Sequence, residues 1–318
     1  MNDLGACMTL PWRLFPPLGE EGPDDPAPSD AGTVAWRLHY NSLLYSVKED
    51  GYDAYLARFM ESVDTTRVRE LVFGCCGEPS YTGPDEAVEL LIKEAARFPA
   101  LRAVAFGDIS YEDAELSWTS LCDVTPLLRA FPALEVLEVR GGDDLALGPV
   151  RHESLQALRI ETGGLPGEVV RTVGDCDLPA LEHLELWLGV AEYGGDATVA
   201  DLAPILSGER LPALRYLGLR NGEIQDEVAA AVAAAPVVAR LETLSLGLGV
   251  LTDEGAEALL SGQPLTHLKK LDLHHHFIGE EMMQRLRAAL PGVEVDLSGR
   301  EEPDPGDEWW SPYVAAAE

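Results

Sequence analysis

A chain of 318 residues with 46% hydrophobic side chains can bury a sizeable core, either as one elongated domain or as two average ones. Its 55 acidic and 23 basic residues give a formal net charge of −32, and a field of that sign repels nucleic acid and anionic lipid alike. Neither is expected as a partner.

The opening MNDLGACMTLPWRLFPP has neither the basic start nor the sustained apolar run of a signal peptide. No later apolar stretch approaches a membrane span, so a cytoplasmic protein is expected. Cys7, Cys75, Cys76, Cys122 and Cys176 are odd in number and lack CxxC spacing, which points to reduced thiols. Residues 1–31, rich in Pro, Gly and acids, read as a flexible or loosely docked arm in which Trp12, Leu14 and Phe15 could cap the first repeat of the folded region.

After VAWRLHY at residue 34 and VRELVF at 68, one pattern recurs. It is LRAVAF at 101, LEVLEV at 134, LQALRI at 155, LEHLEL at 181, LRYLGL at 214, LETLSL at 241 and LKKLDL at 268, with starts 21 to 33 residues apart. Helical spacing fills the gaps, as in EIQDEVAAAVAAA and TDEGAEALLSG. GEEMMQRLRAAL has acids in its first turn and arginines near its end, as the helix dipole favours. One repeat is therefore strand, turn, helix and return, and because no unit can bury its Leu face alone, neighbours must stack. The expected fold over residues 32–299 is an α/β leucine-rich repeat solenoid, a right-handed β-α superhelix of horseshoe form with a parallel sheet on its concave side.

LRYLGLRNGEIQDEVAAAV, LETLSLGLGVLTDEGAEALL and LKKLDLHHHFIGEEMMQRL resemble the ribonuclease-inhibitor-like leucine-rich repeat proteins, and the resemblance spans about residues 34 to 297. More narrowly, ETGGLP, ELWLG, EYGGDATVADLAP and LDLHHH are similar to a bacterial leucine-rich repeat family common in actinobacteria. That resemblance implies a partner enzyme of the radical-SAM or ATP-grasp type. One departure concerns the ninth repeat position, where such families carry Asn or Cys. Here it holds Cys76, Ile109, Gly142, Gly163, Gly189, Gly222, Gly249 and His276, which suggests tight or left-handed turns in place of a side-chain ladder.

Strand alternation sends the fifth and seventh repeat positions to the concave face. Charge gathers in the middle repeats: Glu138, Arg159 and Glu185 at the fifth position, Arg140, Glu161, Trp187 and Arg220 at the seventh, with His183 and Tyr216 joining from the third. Arg159 would lie between Glu138 and Glu185, and Trp187 between Glu161 and Arg220. Such a set is either a cross-strand ion-pair ladder that fixes register or, because it includes an aromatic beside arginine on an open surface, a partner-binding hot spot.

In LDLHHH, Asp272 and His274 share the concave face, His275 turns back or leaves the strand, and His276 takes the turn position. Two converging ligands fall short of a zinc site, so no metal is expected. The chain has no P-loop, HExxH or GxSxG, and FGCCGEP has no basic neighbour to activate a thiol, so neither enzyme nor cofactor is expected.

Insertions near 77–84, 108–122 and 188–197 leave one edge of the sheet with Tyr81, Tyr111, Trp118 and Tyr193. These aromatics either bind a partner or pack over the insertions themselves. The C-terminal part, residues 300–318, is an acidic spacer followed by WWSPYVAAAE. Its Trp309, Trp310 and Tyr313 read as a strap over the last repeat, or as a motif that a partner binds or modifies. The composite expectation is a non-enzymatic scaffold that recognises a protein or peptide through its concave centre and strand-end loops. The alternative is a substrate or carrier whose aromatic tail is presented to a partner enzyme.

Overall fold

Leucines at the first, fourth and sixth repeat positions carry the architecture. Leu181, Leu184, Leu186, Leu214, Leu217, Leu219, Leu241, Leu244 and Leu246 are all buried, each Leu side chain contributing about 1.5–3 kcal/mol by leaving water. The structure, a computed structural model, describes residues 7–16, 30–45, 51–78, 83–110, 114–302 and 311–317. It is an α/β leucine-rich repeat solenoid, with repeats distributed over two compact units, Met1–Arg159 and Ile160–Glu318.

In the first unit, β1 (Trp12–Phe15), β2 (Ala35–Asn41), β3 (Glu70–Gly77), β4 (Ala103–Phe106) and β5 (Val136–Arg140) pair in parallel and in chain order. The helices α1 (Ser42–Tyr45), α2 (Tyr52–Ser62), α3 (Asp85–Lys93) and α4 (Thr125–Ala130) lie between strands along the chain. Where an arm was expected, residues 12–15 form a strand aligned from Trp12 with Ala35 to Phe15 with Leu38. It is held because Phe15 packs edge-on to Trp36 and Phe59 and lies under the guanidinium of Arg58, while Tyr55 Oη donates to the Phe15 carbonyl at 2.6 Å.

β6 (Ala157–Glu161) spans the boundary in the chain. The second unit then adds β7 (His183–Gly189), β8 (Tyr216–Gly222), β9 (Thr243–Ser245), β10 (Lys270–Asp272) and β11 (Glu294–Asp296), again parallel neighbours in chain order. Its helices are α5 (Gly167–Asp175), α6 (Val199–Ser207), α7 (Gln225–Val232), α8 (Asp253–Ser261) and α9 (Glu280–Ala289).

Acids at these helix starts link each repeat to the next. Asp226 in α7 accepts from Thr252 N at 2.8 Å, Thr252 Oγ1 at 2.6 Å and Gly255 N at 3.0 Å, and Asp253 in α8 accepts from Gly279 N at 2.7 Å. A carboxylate on the unpaired amides of the next helix's first turn satisfies orphan donors and complements the dipole. The glycines serve this approach: a Cβ at Gly255 would stand 2.4 Å from Asp226 Oδ1.

The turns differ from the expectation of left-handed backbone at the ninth position. Gly189 does have φ +70°, but in the last three full repeats the left-handed residue is the eighth: Asn221, Leu248 and His275, at φ +56°, +67° and +53°. Gly222 and Gly249 give room instead. The buried Gln225 side chain comes up beneath them, accepting from Gly222 N at 3.2 Å and donating to Leu219 O at 2.7 Å. A Cβ at Gly249 would lie 2.6 Å from its Oε1.

None of the five cysteines forms a disulfide, and all but Cys7 are buried. Burial pushes the Cys76 and Cys122 thiols up to about 12, the direction that suppresses thiolate chemistry. Among the described residues no helix is long and apolar enough to cross a membrane.

Candidate functional site

The third, fifth and seventh positions of the strands share the sheet face turned away from the helices. In the second unit this helix-free face carries one connected polar network. Glu185 is its centre. Its carboxylate accepts from Tyr216 Oη, from Trp187 Nε1 at 2.9 Å and from Arg220 Nη1 at 3.1 Å. Arg220 then bridges onward, with Nη2 at 3.1 Å from His274 Nε2 and 4.0 Å from Asp272 Oδ2, while its guanidinium lies 5.8 Å from the Trp187 ring centre.

A guanidinium only donates, so His274 Nε2 accepts, and Nδ1 carries the proton to Asp272 Oδ1 at 2.7 Å. Ser245 Oγ donates to the other Asp272 oxygen at 2.8 Å. Burial pushes the Asp272 carboxyl up, but the bonds from His274 and Ser245 outweigh it and hold the group at about 2. His183 and Tyr216 stack face to face across the β7/β8 pair, ring centres 3.9 Å apart, and close the network at its edge.

Gly218 and Gly247 allow long neighbours to lean across. A Cβ at Gly218 would stand 3.0 Å from Glu185 Cγ, and one at Gly247 3.0 Å from His274 Nδ1. That leaning overturns the expectation of an open hot spot. Trp187 is only 5% exposed, Glu185 and Arg220 are buried with it, and Glu161 is buried too. What reaches solvent is a rim: His183, Tyr216, His274 and Lys270 are half-buried.

In the first unit the charged residues are likewise covered. Glu138 and Arg159 are buried, Arg159 Nη1 standing 4.0 Å from Glu138 Oε2, and Arg140 is half-buried. Glu138, one of the residues considered for a partner-binding hot spot, has its Oε1 accepting from the backbone N of Cys7 at 2.8 Å.

The three histidines diverge as the strand pattern requires. His274 joins the network and His276 is buried in the turn, its Nδ1 accepting from Ile278 N at 3.0 Å and Nε2 donating to Leu297 O at 3.2 Å. That is the backbone-bonding task of an Asn at the ninth position. His275 leaves the strand in the left-handed conformation and donates from Nε2 to Tyr313 O at 3.0 Å.

A third possible metal ligand was missed in the sequence. Asp296 from β11 pairs with Asp272, and Asp272, His274 and Asp296 each bring one ligand atom within 4.8 Å of the others. Two cations already stand against this group: Arg220, as above, and Lys270, whose Nζ lies 3.8 Å from Asp296 Oδ2. A metal ion would have to displace both.

Of the loop aromatics, Trp118 is 58% exposed and Tyr193 half-buried, while Tyr81 and Tyr111 lie outside the described residues. Trp309 and Trp310 of the tail also lie outside them. The stretch 313–316 runs over the left-handed residues in turn. Tyr313 O takes the His275 bond, Ala315 N donates to Leu248 O at 2.8 Å, and Ala316 exchanges two bonds with the Asn221 side chain. Tyr313 Oη donates to Glu301 at 2.9 Å, and Val314 is buried.

No protein-family model matches the chain, and no curated protein does. Among solved structures, a protein from Bacteroides fragilis is similar at 29% identity, over 83% of this chain and 75% of that one, with a TM-score of 0.73. An internalin from Listeria monocytogenes is similar at 14% identity, over 83% of this chain and 67% of that one, with a TM-score of 0.39.

Proposed function

We propose that the protein is a non-enzymatic scaffold that recognises another protein or peptide through the helix-free face of its repeats and the adjoining strand-end loops. The observation that supports this best is the Glu185, Arg220, Asp272 and His274 network. Side chains from three repeats fix one another there, behind a half-exposed rim of His183, Tyr216, His274 and Lys270. Held in this way, the rim side chains lose little further conformational freedom on docking, which is what a preorganised recognition surface requires. The net charge of −32 favours a partner with a basic surface and speeds its encounter at low salt.

The test is affinity capture of full-length protein from its native host, run beside a His183→Ala/Lys270→Ala rim variant. Loss of a stoichiometric partner by the variant, with melting unchanged, supports the face. Equal capture by both would rule the face out.

The carrier reading stands second because of one observation. Glu301 N donates to His276 O at 2.8 Å and residues 313–316 are bonded to the strand ends, and Trp309 and Trp310 lie in the sequence between these two stretches. In that reading a partner enzyme modifies this bracketed segment. A mass shift mapped to residues 303–310 of protein purified from the host tests it. The assignment of that enzyme to the radical-SAM or ATP-grasp type rests on the sequence resemblance alone.

A further inference from the structure

In the first unit the helix-free face has an apolar floor. Ala35 from β2, Val72 from β3 and Ala105 from β4 are each 0% exposed, although they point away from the helices, because Met8 and Leu10 pack on them. Two buried acids flank the floor. Glu70 on β3 accepts from Thr9 N and Leu10 N, both at 3.2 Å, and from Thr9 Oγ1 at 2.5 Å. Glu138 on β5 accepts from Cys7 N. The span from β5 to β3 is two strand spacings, about 10 Å, and residues 7 to 10 cross it outside any helix or strand. Met8 and Leu10, two residues apart, both reach the floor.

We propose that this trough is a binding site for a short peptide segment with apolar side chains at positions i and i+2 and donors between them, and that residues 7–10 occupy it as an internal stand-in which such a partner displaces. The flanking chemistry sets the class of ligand. Two buried carboxylates border the trough, Glu70 bonded to donors of the segment and Glu138 facing Arg159 as well as the segment, so an acidic peptide is rejected and a neutral or basic one accepted.

The stand-in is suited to displacement. Met8 and Leu10 are only half-buried and Thr9 is exposed, so the gain from docking is of the same order as the entropy cost of ordering four residues. The occupied and open forms can then both be populated, and a partner that binds only the open form draws the segment out. The trough goes beyond the scaffold role proposed above and uses none of the residues 183–274, so each can fail without the other.

The test compares full-length wild type with a full-length Met8→Asp/Leu10→Asp variant, in which the stand-in is ejected. The probe is a fluorescein-labelled synthetic peptide carrying residues 6–11, followed by anisotropy. The variant should bind it at least tenfold more tightly than wild type. Adding Glu70→Gln/Glu138→Gln should weaken that binding at least tenfold. Equal binding by wild type and variant, or indifference to the Glu70 and Glu138 changes, would overturn the proposal.

A concentration-dependent doubling of mass in wild type that the variant abolishes would assign the trough to a second copy, and so overturn the peptide assignment. Should the variant not fold, hydrogen exchange on wild type decides. The amides of Cys7, Thr9 and Leu10 should exchange faster than those of β3 and lose protection when the free peptide is in excess. Protection equal to β3 and unmoved by the peptide would refute the stand-in.

Discussion

Arg220 Nη1 stands 3.1 Å from Glu185 Oε1, both side chains buried on a sheet face that carries no helix. A buried ion pair of this kind is weak evidence for stability, because desolvation offsets its attraction, but removing one partner strands the other charge.

Glu185→Ala should therefore destabilise the protein by about 3–5 kcal/mol in urea, whereas Glu185→Leu/Arg220→Met should recover most of the loss. The double-mutant cycle measures this. Additive losses would mean that the two side chains do not act as a unit.

Two acid transitions are expected. The folded-state value of Asp272 lies below the ordinary 3.8, at about 2, so its contribution is complete above pH 3.8 and is lost as pH falls towards 2, amounting to about 2 kcal/mol. Burial also lowers His276 below its ordinary 6.5, so native His276 resists protonation and its contribution is lost as pH falls below 6.5. Urea melts from pH 8 to 2 should show both steps. Asp272→Asn should shrink the lower one, to which the lowered carboxyls of Asp201, Asp296, Glu242 and Glu257 also contribute, and leave the upper.

Asp226→Ala should cost about 1–2 kcal/mol, because it unties Thr252 N and Gly255 N at the start of α8. Hydrogen exchange should place the loss in α8 and leave β7 unchanged.

Asn221→Gly keeps the left-handed backbone at φ +56° and deletes the side-chain bonds to Ala316. Limited proteolysis should then cut within residues 311–317 at least several-fold faster, while melting of the repeats moves by less than about 1 kcal/mol.

The repeats were legible because Leu at three fixed positions is a signal no other fold imposes, and the strand alternation placed Asp272 and His274 together correctly. The His183 and Tyr216 pairing was legible for the same reason, since both occupy the third position of adjacent strands. Exposure was not. Alternation says which face a side chain leaves from, but it cannot say that Gly218 and Gly247 let Glu185 and His274 fold over their neighbours, or that Trp187 would donate to Glu185 and sink beneath them.

Nor could it assign Met8 and Leu10 to Ala35, Val72 and Ala105. That contact depends on the route of a segment whose composition reads as an unstructured arm, and its one cue was an apolar i, i+2 pair beside small residues in the outward rows. The third member of the Asp272 and His274 group, Asp296, was hidden for a simpler reason: with Val295 paired to Leu271, the last strand has Gly292 where the first Leu of the pattern would stand.

If the helix-free face meets the partner, binding must shield its strands and leave the helices as they were. Hydrogen exchange on the full-length protein, alone and in complex with whatever co-purifies stoichiometrically from its host, tests this most directly. Slowed exchange in segments covering residues 183–189, 216–222 and 270–276, with α5 to α9 unchanged, is the predicted result. Protection confined to those helices would contradict it.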